Sequence, residues 1–274
     1  MSEQVRGALT AAATRLSSDS ETPRLDAELL MAHALGVSRD DMLLSRLDDT
    51  APASFEPLVA RRAAGEPVAY IIGMRDFWTI SLAVRPGVLI PRPDSETLIE
   101  AAVQHFGARA PATILDLGTG SGALLLAALD IWPGASGLGI DRSADALAVA
   151  TENAERLAMA ARARFVLGDW GEGIDGQFDL ILCNPPYVES GAELARDVAG
   201  HEPASALFAG EDGLDAYRAL APQIGRLIAP GGIALFEIGA SQAAAVSALF
   251  AAAGLEGAVF RDLAGRDRCV AIKR

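Results

Sequence analysis

The chain has 274 residues, 51% of them hydrophobic, and carries 23 Lys and Arg against 36 Asp and Glu, a formal net charge of −13. That size allows one large domain plus a small one around a real core, and so acidic a balance argues against tight, sequence-blind attachment to nucleic acid, which needs Lys and Arg to neutralise phosphates. No apolar run reaches the ~20 residues of a membrane span, "MSEQVRGALT" has no signal-peptide core, and Cys183 and Cys269 lie far apart in strand-like runs, so a cytoplasmic protein without disulfides, metal or membrane segment is expected.

Residues 1–66 read as a small helical domain. In "TPRLDAELLMAHALG" Thr22 is the expected N-cap, Pro23 the first helical residue and Gly36 the stop, with Leu25, Leu29 and Ala32 on one face. "SRDDMLLSRL" and "PASFEPLVARRAAG" predict two further helices, the second closed by Gly65. His33, alone beside Leu and Ala on its helix, reads as structural. Residues 67–92 change to short β-rich pieces, "VAYIIGMRDFWTISLAV" and "GVLI", and read as a β-hairpin linker. Its Phe77 and Trp78 are most simply a packing hinge, although an exposed aromatic pair could also touch a partner.

From residue 93 to 274 strands and helices alternate. Helices are expected at 94–106, 122–131, 144–158, 213–228 and 241–253, strands at 113–117, 136–140, 163–167, 178–182 and 233–238, a "PGG" turn at 230–232, and two final strands near 256–261 and 268–273. The alternation predicts an α/β domain with a mostly parallel sheet covered by helices. Ligands of such sheets bind beyond the carboxyl ends of the strands.

"ILDLGTGSGALLLAAL" sets Asp116, Gly118, Thr119, Gly120, Ser121 and Gly122 between a buried strand and a helix. Alternating glycines allow positive φ and close backbone approach, and the helix start offers free N–H groups, a cradle for a dinucleotide or another adenosine-bearing cofactor. The next strand ends at Asp141, near the offset at which an acidic residue meets ribose hydroxyls; helix capping before "RSADAL" is the competing reading. A third strand ends at Asp169 and Trp170, placed to hydrogen-bond and stack against adenine, though loop residues of either type also occur without a ligand.

A fourth strand, "LILC", ends at Asn184-Pro185-Pro186-Tyr187. Prolines lack N–H groups and have fixed φ, so they can hold the Asn184 side chain and the Pro185 carbonyl toward a cleft. Two fixed acceptors suit a planar NH₂ with two hydrogens to give, and Tyr187 offers a flat face to the same group. A rigid turn after an edge strand is the plainer alternative.

Asp-x-Gly-x-Gly-x-Gly followed by Asn-Pro-Pro-Tyr resembles the S-adenosylmethionine-dependent methyltransferases of planar amino groups in protein Gln or in DNA bases. The helical N-terminal part, "EPVAYIIGMRDFW", "LIPRPDSE", "HEPASALFAGEDGLDAYR" and "DLAGRDR" narrow this, and the whole chain resembles the release factor glutamine methyltransferases of the PrmC/HemK family. The resemblance implies a Rossmann-like domain with a seven-stranded sheet whose last strand is antiparallel, and S-adenosyl-L-methionine as cofactor with S-adenosyl-L-homocysteine as product. It implies methylation of the Gln in the Gly-Gly-Gln motif of bacterial peptide chain release factors, by a chain expected to be monomeric. Carried over by position, Gly118 to Gly122, Asp141, Asp169, Trp170 and Asn184 would hold the cofactor, and Asn184, Pro185, Pro186 and Tyr187 the glutamine, with Asn184, Pro185 and Tyr187 catalytic. His201 stands where an aromatic such as Phe would be expected, which leaves a stacking role there in doubt. A DNA adenine or cytosine amino-methyltransferase is the nearest rival, and it would need a basic target-recognition region that this chain lacks. A dinucleotide oxidoreductase explains only the glycine loop, and a non-catalytic cofactor-binding adaptor would keep the motifs without turnover.

Overall fold

The structure, a computed structural model, describes residues 3–194 and 196–274. The chain divides into two compact units, Met1–Met74 with Leu194–His201, and Arg75–Glu193 with Glu202–Arg274.

The smaller unit contains α1 (Val5–Leu16), α2 (Pro23–Leu35), α3 (Arg39–Ser45), α4 (Phe55–Ala63) and α5 (Val68–Ile72). Pro23 opens α2 and Gly36, at φ 67°, closes it, while the Ser38 hydroxyl caps α3 by accepting the Asp41 N–H at 3.0 Å. Thr22 occupies the N-cap of α2 but makes no side-chain cap bond. The core face of α2 includes Ala32, as expected, but otherwise differs from the expected one. Ala27, Leu30 and Met31 are buried, and Leu25 is exposed. Ion pairs rotate the helix: Asp26 is buried against Arg62 at 2.7 Å, and Glu28 is buried against Arg24 and Arg39. The stretch "VAYIIG", expected as β, forms α5 instead. Pro67 precedes it, Gly73 at φ 74° ends it, and burial of Ile71 in the core with Leu30 and Val59 outweighs the strand preference of its β-branched residues.

The larger unit opens with a hairpin of β1 (Met74–Phe77) and β2 (Ile80–Ala83). Trp78 turns the chain at φ 54°, and its N–H donates to Glu96 at 2.9 Å. Phe77 is buried in the core beside Leu98 and Leu126, and Trp78 packs against the same cluster. "GVLI" is not a strand: Val88 and Ile90 are buried in a segment that follows a turn, and the Ile90 N–H donates to the Glu202 carboxylate at 3.2 Å. A side chain takes the place of a ladder bond there.

After a 3₁₀ turn at Pro93–Ser95 the elements alternate: α6 (Glu96–Phe106), β3 (Thr113–Leu117), α7 (Ala123–Ile131), β4 (Ser136–Asp141), α8 (Ala144–Arg156), β5 (Ala163–Leu167) and β6 (Phe178–Cys183). Next in the chain is α9 (Arg196–Ala199), which belongs to the smaller unit, and the larger unit resumes with a 3₁₀ turn at Ala204–Ala206, α10 (Asp215–Leu227), β7 (Ile228–Glu237), α11 (Ala243–Ala252), β8 (Gly257–Arg261) and β9 (Asp267–Lys273). The "PGG" stretch lies inside β7 and is no separate turn. Between the Phe178–Ile228 and Leu180–Ile233 pairs β7 advances five residues and β6 two, so Ala229 to Gly232 bulge out. A Cβ on Gly232 would stand 2.8 Å from the Asp179 carbonyl, which explains a glycine there.

The seven strands run β5-β4-β3-β6-β7-β9-β8. Pairs from β5 to β7 are parallel, and β9 is antiparallel to both β7 and β8. Side chains alternate between two cores: Ile114, Leu180, Leu182 and Leu235 enter one, and Leu115, Ile181, Cys183 and Phe236 the other. The chain moves outward from β3 to β4 and β5, then returns to β6 on the opposite side of β3. The carboxyl ends of β3 and β6 therefore flank the crevice where an open α/β sheet binds its ligand.

Candidate active site

A cavity of about 410 Å³ opens at those strand ends. Gly118, Thr119, Gly120, Ser121, Asp141, Asp169, Trp170, Asn184 and Pro186 line it. Gly122, Pro185 and Tyr187 are not among its lining residues.

The loop after β3 is fixed by its own backbone. The Gly118 and Thr119 N–H groups both donate to the Ile140 carbonyl, at 2.8 and 2.9 Å, and the Gly122 N–H donates to Thr119 O at 2.8 Å. Gly118 and Gly122 have φ of 72° and 83°, conformations costly for residues with a Cβ. Gly122 also lacks room, whereas a Cβ on Gly118 would make ordinary contact. A Cβ on Gly118 would meet the Trp170 ring at 3.4 Å, and one on Gly122, the residue before α7, would meet Leu126 at 3.0 Å and Ala150 at 3.3 Å. Trp170 itself sits at φ 48°, its ring packed on the second core. Gly120 faces open space.

Beneath the loop Asp116 is buried, and its Oδ2 accepts the Thr119 hydroxyl at 2.6 Å. Burial pushes its pKa up to about 7, a rise that the Thr119 hydrogen bond opposes. Asp141 lies one strand away and braces the same loop: Oδ2 accepts the Gly120 N–H and Oδ1 the Ser143 N–H, both at 2.9 Å. The N-cap of α8 is Ser143, whose Oγ accepts from Ala146 at 3.2 Å, so Asp141 is not the cap of that helix. Asn153 secures the outer wall. Its amide donates to the carbonyls of Ser121 and Ala83, both at 3.0 Å, and accepts the Ala83 N–H at 2.7 Å.

At the end of β6 the half-buried Asn184 donates through Nδ2 to Ser95 Oγ at 3.0 Å, which leaves Oδ1 as the acceptor on the other edge of the amide. The Asn184 carbonyl comes within 4.0 Å of the position a Gly118 Cβ would take, so the two sequence motifs meet. The Tyr187 hydroxyl donates to Glu237 Oε1 at 3.2 Å, and its carbonyl accepts from Gln242 at 3.0 Å. Burial raises the Tyr187 pKa, the nearby Glu237 adding to it. Glu237 is itself buried, which pushes it up to about 7 against the opposing Ser95 hydrogen bond and Arg268 charge. Sequence reading passed over Ser95 and Glu237. The one available signal was an acid closing the apolar run "IALFE".

The opposite wall includes Arg92, Arg142, Pro203 and Ser205. Glu202 binds Arg92 and Arg142 donates to the Ser205 carbonyl at 2.9 Å, so the "EPAS" segment from Glu202 to Ser205 is tied to the cavity rim. His201, with Nδ1 buried and without a hydrogen-bond partner, belongs to the smaller unit. Among the described residues there is no cluster of three or more His, Cys, Asp or Glu able to hold a metal, and no helix long and apolar enough to cross a membrane.

A glycine cradle open at Gly120, closed by an indole at Gly118 and braced by Asp141, fits an adenosine-bearing cofactor. A family model described as a methyltransferase domain matches residues 109–253, and one described as the PrmC N-terminal domain matches residues 7–73. The Thermus thermophilus 16S rRNA N2 G1207 methyltransferase, solved with AdoMet and guanosine, superposes with a TM-score of 0.52 at 22% identity, over 73% of this chain and 50% of that one. Fold and domain match define a Rossmann-like methyltransferase, a class that uses S-adenosylmethionine. A release factor glutamine methyltransferase from Rhodospirillum rubrum is 45% identical over 93% of this chain and 80% of its own, and one from Caulobacter vibrioides is 44% identical over 96% and 94%. The chain belongs to the release factor glutamine methyltransferase family.

Proposed function

We propose that this chain methylates the side-chain amide nitrogen, N5, of the Gln in the Gly-Gly-Gln motif of bacterial peptide chain release factors, as a cytoplasmic monomer that makes no direct contact with nucleic acid. The observation that carries the reading is the Asn184 amide, anchored through Nδ2 on Ser95 with its oxygen edge free, at the end of the strand beside the glycine loop.

Gly118 to Gly122, Asp141, Asp169 and Trp170 would hold the cofactor. When bound, S-adenosylmethionine supplies a methyl group already activated by its sulfonium. An amide nitrogen is a poor nucleophile because its lone pair is delocalised, so the protein's task is alignment. Asn184 Oδ1 and the Pro185 carbonyl accept the two hydrogens of the substrate amide, and these acceptors favour the positive charge that grows on nitrogen. Pro185 and Pro186 limit the backbone freedom of both acceptors, while Tyr187, held through its hydroxyl and its carbonyl, keeps the turn in place. No general base is needed before transfer, because the alkylated nitrogen loses its proton readily afterwards.

The test is mass spectrometry of a release factor incubated with the protein and S-adenosylmethionine, beside a duplex-DNA control. One added methyl on the Gly-Gly-Gln glutamine is expected. Methyl transfer to DNA, or none to the glutamine, overturns the reading.

A further inference from the structure

We propose that Gln242 is a positioning residue for methyl transfer, fixing the backbone of the turn from which the Asn184 oxygen and the Pro185 carbonyl receive the substrate amide, an inference that rests on the reading of those two groups as acceptors. Pro185 and Pro186 have no N–H, so the middle of the turn offers no backbone donor by which it could be held. It is gripped through an acceptor instead. The Tyr187 carbonyl, the first after the prolines, is the handle: Gln242 Nε2 donates to it at 3.0 Å and to the Gly213 carbonyl at 3.3 Å, while Gln242 Oε1 accepts the Gly239 N–H at 3.0 Å. One side-chain amide thus ties the turn after β6 to the loop after β7 and to the segment leading into α10.

The orientation of the Gln242 amide follows from its partners. Two carbonyl oxygens carry no hydrogen, so both need a donor, and the Gly239 N–H needs an acceptor; NH₂ serves the first two and the amide oxygen the third. A reversed amide would set its oxygen against two oxygens and its nitrogen against an N–H. None of these groups titrates, so the polarity of the cluster does not change with pH. Two glycines leave the space that the amide fills. A Cβ on Gly213 would stand 2.8 Å from Gln242 Nε2, and one on Gly239 would stand 3.0 Å from Gln242 Oε1. Gln242 is the N-cap of α11, yet its side chain makes no cap bond with that helix, and its hydrogen bonds go to the active-site turn and its neighbours. The Tyr187 hydroxyl is held as well, by Glu237, but it lies at the far end of a rotatable side chain, whereas the Gln242 bond acts on the backbone itself.

The experiment compares the parent at pH 8 with Gln242→Met, which keeps the side-chain length without the amide, and with Gln242→Glu, which keeps its shape and the acceptor for Gly239 but has no hydrogen to donate when ionised. It measures kcat and KM on release factor below the melting temperature of each variant, and S-adenosylhomocysteine affinity by calorimetry. In both variants kcat is expected to fall roughly tenfold, while KM and cofactor affinity stay within about threefold. A parent kcat in either variant, a rise in KM without loss of kcat, or cofactor affinity that falls in step with kcat overturns the inference. If Gln242→Met does not fold, Gln242→Glu, isosteric with the parent, decides by the same criteria. A parent protein that leaves the glutamine unmethylated overturns the reading of function instead, whatever the variants do.

Discussion

The Asp141 carboxylate holds the backbone N–H of Gly120 at 2.9 Å, so a residue at the end of one strand sets the shape of the loop that follows its neighbour. Its second oxygen does the same for Ser143. Each oxygen keeps a further lone pair for a ribose hydroxyl, so support of the loop and contact with a ligand are compatible. Asp141→Ala removes two charge-assisted hydrogen bonds, and S-adenosylhomocysteine affinity should fall roughly ten- to a hundredfold by calorimetry while the fold persists. Unchanged affinity would mean that the loop keeps its form without this brace.

Asn153 is fully buried and makes three hydrogen bonds, through both amide hydrogens and its oxygen, that join α8, β2 and the glycine loop. Asn153→Leu leaves Ser121 O and both Ala83 groups without partners, at a cost of about 3 kcal/mol or more in unfolding free energy. Chemical denaturation reads this directly. A loss under about 0.5 kcal/mol, the range of ordinary surface substitutions, would contradict the bracing role.

Gly213, at φ 69°, stands against the turn that carries Tyr187. A Cβ there would press inside contact distance of the Tyr187 carbonyl and reach 2.8 Å from Gln242 Nε2, the group that holds that carbonyl. Gly213→Ala should therefore cost about 1–2 kcal/mol in stability and lower kcat on release factor more than it lowers cofactor affinity, because the glycine loop lies elsewhere. Equal loss of both would show a general collapse of the cavity.

Asp116 gives a pH test. Burial raises its pKa from 3.8 to about 7 in the folded chain, so the native state holds a proton that the unfolded state has released across that interval. Its contribution to stability is complete below about pH 4 and is lost as pH rises toward 7. Asn at this position cannot ionise and escapes that loss. The melting temperature of Asp116→Asn relative to the parent should therefore rise between pH 5 and 8, and a difference independent of pH would show that Asp116 does not titrate there.

The strands and the two motifs were legible because they are local. "ILDL" and "LILC" are apolar runs broken by residues with special backbone needs, and the sheet brings Gly118 and Asn184 together as strand-end residues of an α/β fold should be. What escaped depends on partners remote in sequence. "VAYII" has strand propensity yet is a helix because the helical core accepts Ile71. "GVLI" lacks a ladder because Glu202, over a hundred residues away, takes the Ile90 N–H. Leu25 is outside because Asp26 and Glu28 are drawn in by arginines. The Ser95–Asn184 bond spans 89 residues, and no periodicity marks it.

The most direct test of the account is the rate of methyl transfer to release factor by Asn184→Ala at saturating S-adenosylmethionine, with S-adenosylhomocysteine affinity measured alongside. If the Asn184 oxygen receives the substrate amide, the rate falls by roughly a hundredfold or more and cofactor affinity changes little. A variant that turns over at the parent rate would contradict the claim that this amide aligns the nitrogen.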